Sequence, residues 1–89
     1  MKIKTYLSFE KAYKKRIAPN KKLILKTEER IILFKSNRKS SILKDHGLTG
    51  VKRRLRAFSI TGDIRVVYYT HKDIVYFIDI GTHNQVYGK

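Results

Sequence analysis

The stretch RLRAFSITGDIRVVYYTHKDIVYFIDI, residues 54–80, decides the fold. From Arg54 onward the pattern has a period of two, with Arg56, Phe58 and Ile60 alternating against Leu55, Ala57 and Ser59. Successive side chains of a strand point to opposite faces, so this alternation marks an extended segment between two environments. Thr61-Gly62-Asp63 turns the chain, Ile64 to Tyr69 follows, His71-Lys72-Asp73 turns it again, and Ile74 to Ile80 runs as a third strand. The segments 55–60, 64–69 and 74–80 are therefore expected to form a three-stranded antiparallel meander. Its core face is expected to carry Tyr68, Tyr76 and Ile78, packed against Phe9, Tyr13, Ile31 and Phe34.

Upstream of residue 40 the rhythm changes. Lys2 to Leu7 alternates and reads as a short strand. Ser8 is placed to cap a helix in which Phe9, Ala12, Tyr13 and Ile17 share one apolar stripe. Pro19-Asn20 punctuates the chain, and Lys21 to Lys35 resumes a helical pattern with Ile24, Thr27, Ile31 and Phe34 on one side. Between Ser36 and Gly50 the residues are polar and small and periodicity is lost, which reads as a connecting loop. A strand, an α-hairpin and a meander make an α+β fold with the helices packed on one sheet face. No internal repeat or second domain is visible, so residues 1–89 are expected to form one domain.

Composition narrows the function. The 89 residues carry 21 Lys+Arg against 7 Asp+Glu, a formal charge of +14. That excess repels itself, and a polyanion relieves the repulsion, so nucleic acid or an acidic protein is the expected partner. At 42% hydrophobic residues the chain is too apolar for a disordered polycation. Without cysteine there is neither a disulfide framework nor a thiolate metal site, and a cytoplasmic location is the default expectation. The longest apolar runs are four or five residues, so no membrane segment is expected.

The basic residues fall into two groups. Lys11 to Arg16, with Lys21, Lys22 and Lys26, belong to the helices and are accounted for by a solvated face. Lys52, Arg53, Arg54 and Arg56 enter the meander, and Arg65 lies within a strand among Val66, Val67, Tyr68 and Tyr69. Arginine grips phosphate with a planar fork of donors and stays charged, so an arginine face interleaved with tyrosine suits an RNA backbone and its unstacked bases. The alternative for Arg65 is an ion pair with Asp63 or Asp79. Of the three histidines, His71 reads as an exposed turn residue, whereas His46 and His83 occupy glycine-flanked stretches expected to be loops, where functional groups collect. Imidazole titrates near neutrality, so two that converge can divide acid and base roles in phosphodiester cleavage. Their spacing shows no metal-ligand pattern, and no metal or cofactor is expected.

Lys44-Asp45-His46-x-Leu48-x-Gly50, Arg56, Gly62-Asp63-Ile64-Arg65-Val66-Val67-Tyr68 and Ile80-Gly81-Thr82-His83-x-x-Val86-Tyr87, in that order, resemble the toxin subunits of bacterial RelE-type toxin–antitoxin modules, especially the YafQ branch. The resemblance spans essentially the whole chain, with its specific motifs in the C-terminal half. It implies a microbial-ribonuclease-like fold, metal-independent cleavage of mRNA on the ribosome, and silencing by a cognate acidic antitoxin. His46, Asp63 and His83 match family catalytic positions, Arg65 matches the arginine at the reacting phosphate, and Tyr87 matches a terminal aromatic that positions substrate. Two departures stand out. Ser59 occupies a position where YafQ-like members carry another catalytic histidine, and Ile64 one where they carry an aromatic. Either Arg56 and its basic neighbours compensate for Ser59, or activity is reduced or lost. In such cleavage a base takes the proton of a ribose 2′-OH, that oxygen attacks phosphorus, and an acid protonates the leaving 5′-oxygen. A gyrase-directed toxin of the ParE type and a noncatalytic RNA-binding domain are the other readings. The former lacks the RNA-cleaving histidines, and the latter needs only the basic face.

Overall fold

In the computed structural model, which describes residues 1–50 and 54–88, the chain runs β1 (Lys2–Thr5), α1 (Leu7–Arg16), α2 (Lys21–Ser36), a short 3-10 turn (Ser41–Leu43), β2 (His46–Gly47), β3 (Arg56–Ser59), β4 (Ile64–His71), β5 (Ile74–Thr82) and α3 (His83–Tyr87). The expected meander is present as β3, β4 and β5. Two edge strands widen it to a five-stranded sheet of order β1-β5-β4-β3-β2, with β1 parallel to β5 and β2 antiparallel to β3. The fold is α+β, as the sequence pattern predicts.

Each helix begins for a local reason. At α2, Asn20 accepts a hydrogen bond from the Leu23 backbone N–H (3.2 Å) and so satisfies one of the free donors of the first turn. At α1 the cap is Tyr6, which makes no side-chain cap bond. Ser8 is not the cap the sequence suggested. Its Oγ instead donates to the carbonyl of Ile78 (2.6 Å), tying the helix to β5.

Aromatic rings hold the centre. Phe34 of α2 stacks on Phe58 of β3 at 4.4 Å and meets Tyr68 of β4 edge-on at 5.0 Å and Phe77 of β5 at 5.9 Å, so one helical residue joins three strands. Phe9 and Ala12 of α1, with Ile17, Ile60, Val66 and Ile80, fill the space around them. Tyr13 and Ile31 pack on the margin of this core, half-buried.

Of the strand residues expected inside, only Tyr68 is there. The inward residues of β5 are Val75, Phe77 and Ile80, while Tyr76 and Ile78 face the other side. Tyr76 stacks on Tyr69 at 5.0 Å, with Tyr6 edge-on at 6.1 Å to both rings. The run Ile74 to Ile78 is apolar on both phases, so period alone does not tell which face it buries. A register shift adds to this. Tyr68 pairs with Phe77 but Val67 with Asp79, leaving Ile78 as an extra residue that switches the phase of β5.

The stretch Ser36 to Gly50 is also more than a loop, since it contains the 3-10 turn and β2. Two residues are too short to show periodicity, and β2 exists through its pairing with Arg56 and Ala57. His83 likewise opens α3 rather than lying in a loop. The signal for this helix was in the sequence, because Thr82-His83-Asn84-Gln85 has capping-box spacing.

Removing the ring that joins helix to sheet should be costly. Phe34→Ala is expected to destabilise by about 3–5 kcal/mol, read from the urea midpoint, and Tyr76→Ala on the opposite face by clearly less. The reverse order would contradict this description of the core.

Candidate active-site cleft

The sheet face away from α1 and α2 is open at the end where β2, β4 and α3 meet. A cleft of about 580 Å³ lies there, lined by His46, Leu48, Arg65, His83 and Tyr87 among others. Each side chain arrives by a different route. His46 comes from the edge pair of β2, Arg65 from the second position of β4, and His83 and Tyr87 from one face of α3 at i and i+4. A full capping box sets α3: the Thr82 hydroxyl accepts from the Gln85 N–H (3.3 Å), and Gln85 Oε1 accepts from the Thr82 N–H (2.8 Å). The close return of Gln85 requires glycine before it. A Cβ at Gly81 would stand 2.6 Å from Gln85 Oε1 and 2.8 Å from an Arg16 nitrogen.

Within the cleft the rings of His83 and Tyr87 meet edge-to-face at 4.5 Å, and the Arg65 guanidinium lies 6.0 Å from the Tyr87 ring. His46 Nδ1 is 2.8 Å from the carbonyl of Lys44, a residue in the left-handed region at φ 50°. A carbonyl only accepts, so this contact requires the hydrogen on Nδ1 and leaves Nε2 of the neutral ring as the acceptor.

Arg65 keeps its charge available. It pairs across the sheet with Ser59, donates to the Gly62 carbonyl (3.3 Å), and has a buried Nε without a hydrogen-bond partner among the described residues. Neither carboxylate suggested as its ion-pair partner holds it. Asp79 is bonded to Arg16 at 3.2 Å, and Asp63 stands exposed on the β3–β4 turn.

Behind His46 its neighbour Asp45 forms a buried hub, with 7% of its side chain exposed. The carboxylate accepts from the Tyr68 hydroxyl (2.8 Å to each oxygen) and from Arg56 Nε (3.2 Å), and it forms an ion pair with Arg38, whose Nε lies 3.2 Å away. Charge-assisted bonds of this kind fix orientation strongly, and here they tie the residue before His46 to the aromatic core. Burial first, and the bond to Asp45 second, push the Tyr68 hydroxyl up to about 12. Arg56 is held charged by its bonds to Tyr68 and Asp45.

The structure thus brings together His46, Arg65, His83 and Tyr87 and leaves the other sequence candidates elsewhere. Asp63 is on a turn outside the cleft lining. Arg56 alternates in phase with the core residue Phe58, so it points to the helix side, away from the cleft where it was expected to compensate for Ser59. Arg54 is exposed in a turn, His71 ends β4 exposed, and Lys52 and Arg53 lie outside the described residues. In the sequence Asp45 is visible only as part of the motif around His46. Its role depends on meeting Tyr68, 23 residues away, which no local pattern announces. Among the described residues no group of three or more His, Asp or Glu is placed to hold a metal ion.

Comparison with known proteins places this geometry. The family model described as bacterial toxin of type II toxin–antitoxin system, YafQ, matches residues 1–88. No curated protein sequence matches the chain significantly. Among solved structures, YafQ from E. coli strain BL21(DE3) superimposes with a TM-score of 0.82 at 22% identity, covering 97% of both chains. The toxin in the E. coli DinJ–YafQ complex gives 0.79 at 23%, again over 97% of each chain. A YoeB/ParE toxin from Agrobacterium tumefaciens gives 0.76 at 21%, covering 93% of this chain and 99% of that one. At these identities the structural likeness speaks for the fold, while the family model speaks for the family.

The Asp45 hub yields a pH dependence. Tyr68 ionises near its ordinary value of 10 when unfolded and only at about 12 when folded. The stability it contributes is therefore complete below pH 10 and lost as the pH rises towards 12. Tyr69, hydrogen-bonded to Tyr6, is displaced in the same direction. Urea midpoints should accordingly fall between pH 10 and 12, and Tyr68→Phe should flatten part of that fall while lowering stability at pH 7. An unchanged alkaline limb in the variant would show that Tyr68 is not so held.

Proposed function

The chain belongs to the YafQ family of bacterial type II toxins, and on that premise we propose that it is an mRNA endoribonuclease that acts on the ribosome without a metal and is silenced by a cognate acidic antitoxin. The observation that carries this reading is the convergence of His46, Arg65, His83 and Tyr87 in one cleft. Two imidazoles, one unneutralised arginine and one aromatic ring are the parts that cleavage by an internal 2′-OH needs.

The hydrogen bond to Lys44 gives the histidines different roles. With Nδ1 engaged, His46 offers Nε2 as the base that removes the 2′-OH proton. The freed oxygen attacks the neighbouring phosphorus, a 2′,3′-cyclic phosphate forms, and the bond to the 5′-oxygen breaks. His83 then protonates that leaving oxygen. Arg65, which lines the cleft and carries a charge that neither Asp63 nor Asp79 neutralises, meets the charge gathering on the phosphoryl oxygens, a contribution of about 3–4 kcal/mol for a well-placed donor. Tyr87, beside His83, stacks on a base and sets the nucleotide. Asp63 and Arg56 are assigned no step. Ser59, paired with Arg65 on the cleft side, has a hydroxyl that neither gains nor loses a proton near neutral pH, so the two-histidine arrangement is proposed to act without a third.

The partner follows from charge. A surface of +14 with an open basic cleft is complementary to an acidic segment lying across it, and the structurally similar E. coli YafQ is found in a complex with DinJ. Expressed alone in bacteria, the chain is expected to arrest growth and translation. Silence there would count heavily against a toxin that cleaves mRNA.

Single-turnover cleavage of ribosome-bound mRNA across a pH series separates the roles. His83→Ala and His46→Ala should each slow the cleavage step by about 10²–10⁴ with little change in ribosome affinity. Arg65→Ala should slow cleavage by about 10²–10³ and weaken binding as well. Undiminished cleavage in His83→Ala would overturn the assignment, and Ser59→His tests whether a third proton carrier raises the rate.

A further inference from the structure

A second cavity, of about 420 Å³, adjoins the cleft, and His46 and Arg65 are common to the linings of both. Beyond them it is bordered by Arg30 of α2, by Lys44, and by the hydroxyl residues Ser59 and Thr61. Among the described residues no acidic one lines it. Three cations and two hydroxyls facing one space without a carboxylate form an environment that favours an anion.

Arg30 is the informative member. Only 16% of its side chain is exposed, which is unusual for an arginine on a surface helix. One terminal nitrogen makes a long bond to the Ile42 carbonyl (3.4 Å), and the exposed Glu29 carboxylate lies 3.8 Å from its Nε. That Nε is nonetheless buried without a hydrogen-bond partner among the described residues, as is the Nε of Arg65 across the same cavity. Buried donors left unbonded are disfavoured and rare, and both belong to guanidinium groups that border this one space, where an anion would offset their charge.

We propose that this cavity is a second phosphate subsite, which holds the phosphodiester on the 5′ side of the nucleotide that supplies the 2′-OH. The placement rests on the cleavage reading. His46 receives the 2′-OH proton and His83 serves the leaving 5′-oxygen, and the second cavity borders His46 but not His83. RNA passing over His46 towards its 5′ end therefore meets Arg30, Lys44 and the hydroxyls of Ser59 and Thr61. The short side chain of Ser59 leaves this space open. Such contacts carry no base information and serve to fix the register of the strand over the histidines.

The test uses the free protein and a hexanucleotide RNA with a 2′-O-methyl group on its third residue, which blocks cleavage. Fluorescence anisotropy compares three probes: all linkages natural, a neutral methylphosphonate at the linkage 5′ to that residue, and the same neutral group one linkage 3′ of the blocked bond. Arg30→Gln should weaken binding of the natural probe about tenfold and reduce the slope of log K against log salt by about 0.7. It should have little effect on the probe neutral at the 5′ linkage, which the parent itself should bind about as weakly as the variant binds the natural probe. Equal losses on all three probes, a loss that follows the 3′ linkage, or no binding of any probe by the parent would overturn the subsite. If circular dichroism shows Arg30→Gln unfolded, Lys44→Gln provides the same comparison. The two proposals fail separately: linkage-dependent binding by a protein that leaves 2′-OH RNA uncut on the ribosome refutes the cleavage reading alone, and cleavage with indifference to Arg30 refutes the subsite alone.

Discussion

Between Phe77 and Asp79 the last strand carries one residue more than the strand beside it, and the side chains beyond that point change face. Val75 and Phe77 reach the core before the shift and Ile80 after it, so the apolar face continues although the spacing of residues does not. An irregularity of this kind disrupts the ladder, and its polar groups need other partners. Asp79 supplies one by accepting from the Ile80 N–H at 2.9 Å, Arg16 supplies another by donating to the Ile80 carbonyl at 3.0 Å, and Ser8 caps the carbonyl of Ile78. Two residues of α1 thus fasten the bulge, and α3 starts three residues after Ile80. The direction in which His83 and Tyr87 leave the sheet depends on this small defect and its braces.

Carboxylates are scarce in a chain with 21 cations and 7 acids, and where they stand determines which arginines remain free. Asp79 holds Arg16, and Asp45 holds Arg38 and Arg56. Both acids bridge elements distant in sequence, and both leave Arg65 on the open face without an opposing charge. A charge bound to a partner is structural, whereas one left unneutralised beside a cavity awaits a ligand. On this account Arg56 and Arg65, only nine residues apart on neighbouring strands, have unrelated duties.

How much of this was legible depends on the length of the pattern that carries it. The meander and the stripes of α1 and α2 extend over several residues, and alternation or helical spacing revealed them. The phase of β5 did not appear, because Ile74 to Ile78 is apolar at every position and the extra residue has no marker of its own. His46 and His83 stood out as chemistry, yet their supports were hidden: β2 is two residues long, and the hub at Asp45 joins groups from four separate stretches. Arg30 gave one faint sign. It lies three residues after Thr27 and four before Phe34, both buried, so helical spacing already set it against the core-facing stripe, and the charged Glu28 and Glu29 just before it concealed that.

The parallel pairing of β1 with β5 joins residues 2–5 to residues 74–77, so the sheet closes across nearly the whole chain. Contacts this remote in sequence cannot form on a nascent polypeptide until its later part has left the exit tunnel. While residues 74–87 remain inside the tunnel, β1 has no neighbour, β4 lacks one of its two, and the cleft lacks His83 and Tyr87. The cleft of this topology is therefore a late product of folding, complete only once residues 74–87 are free to pair and pack.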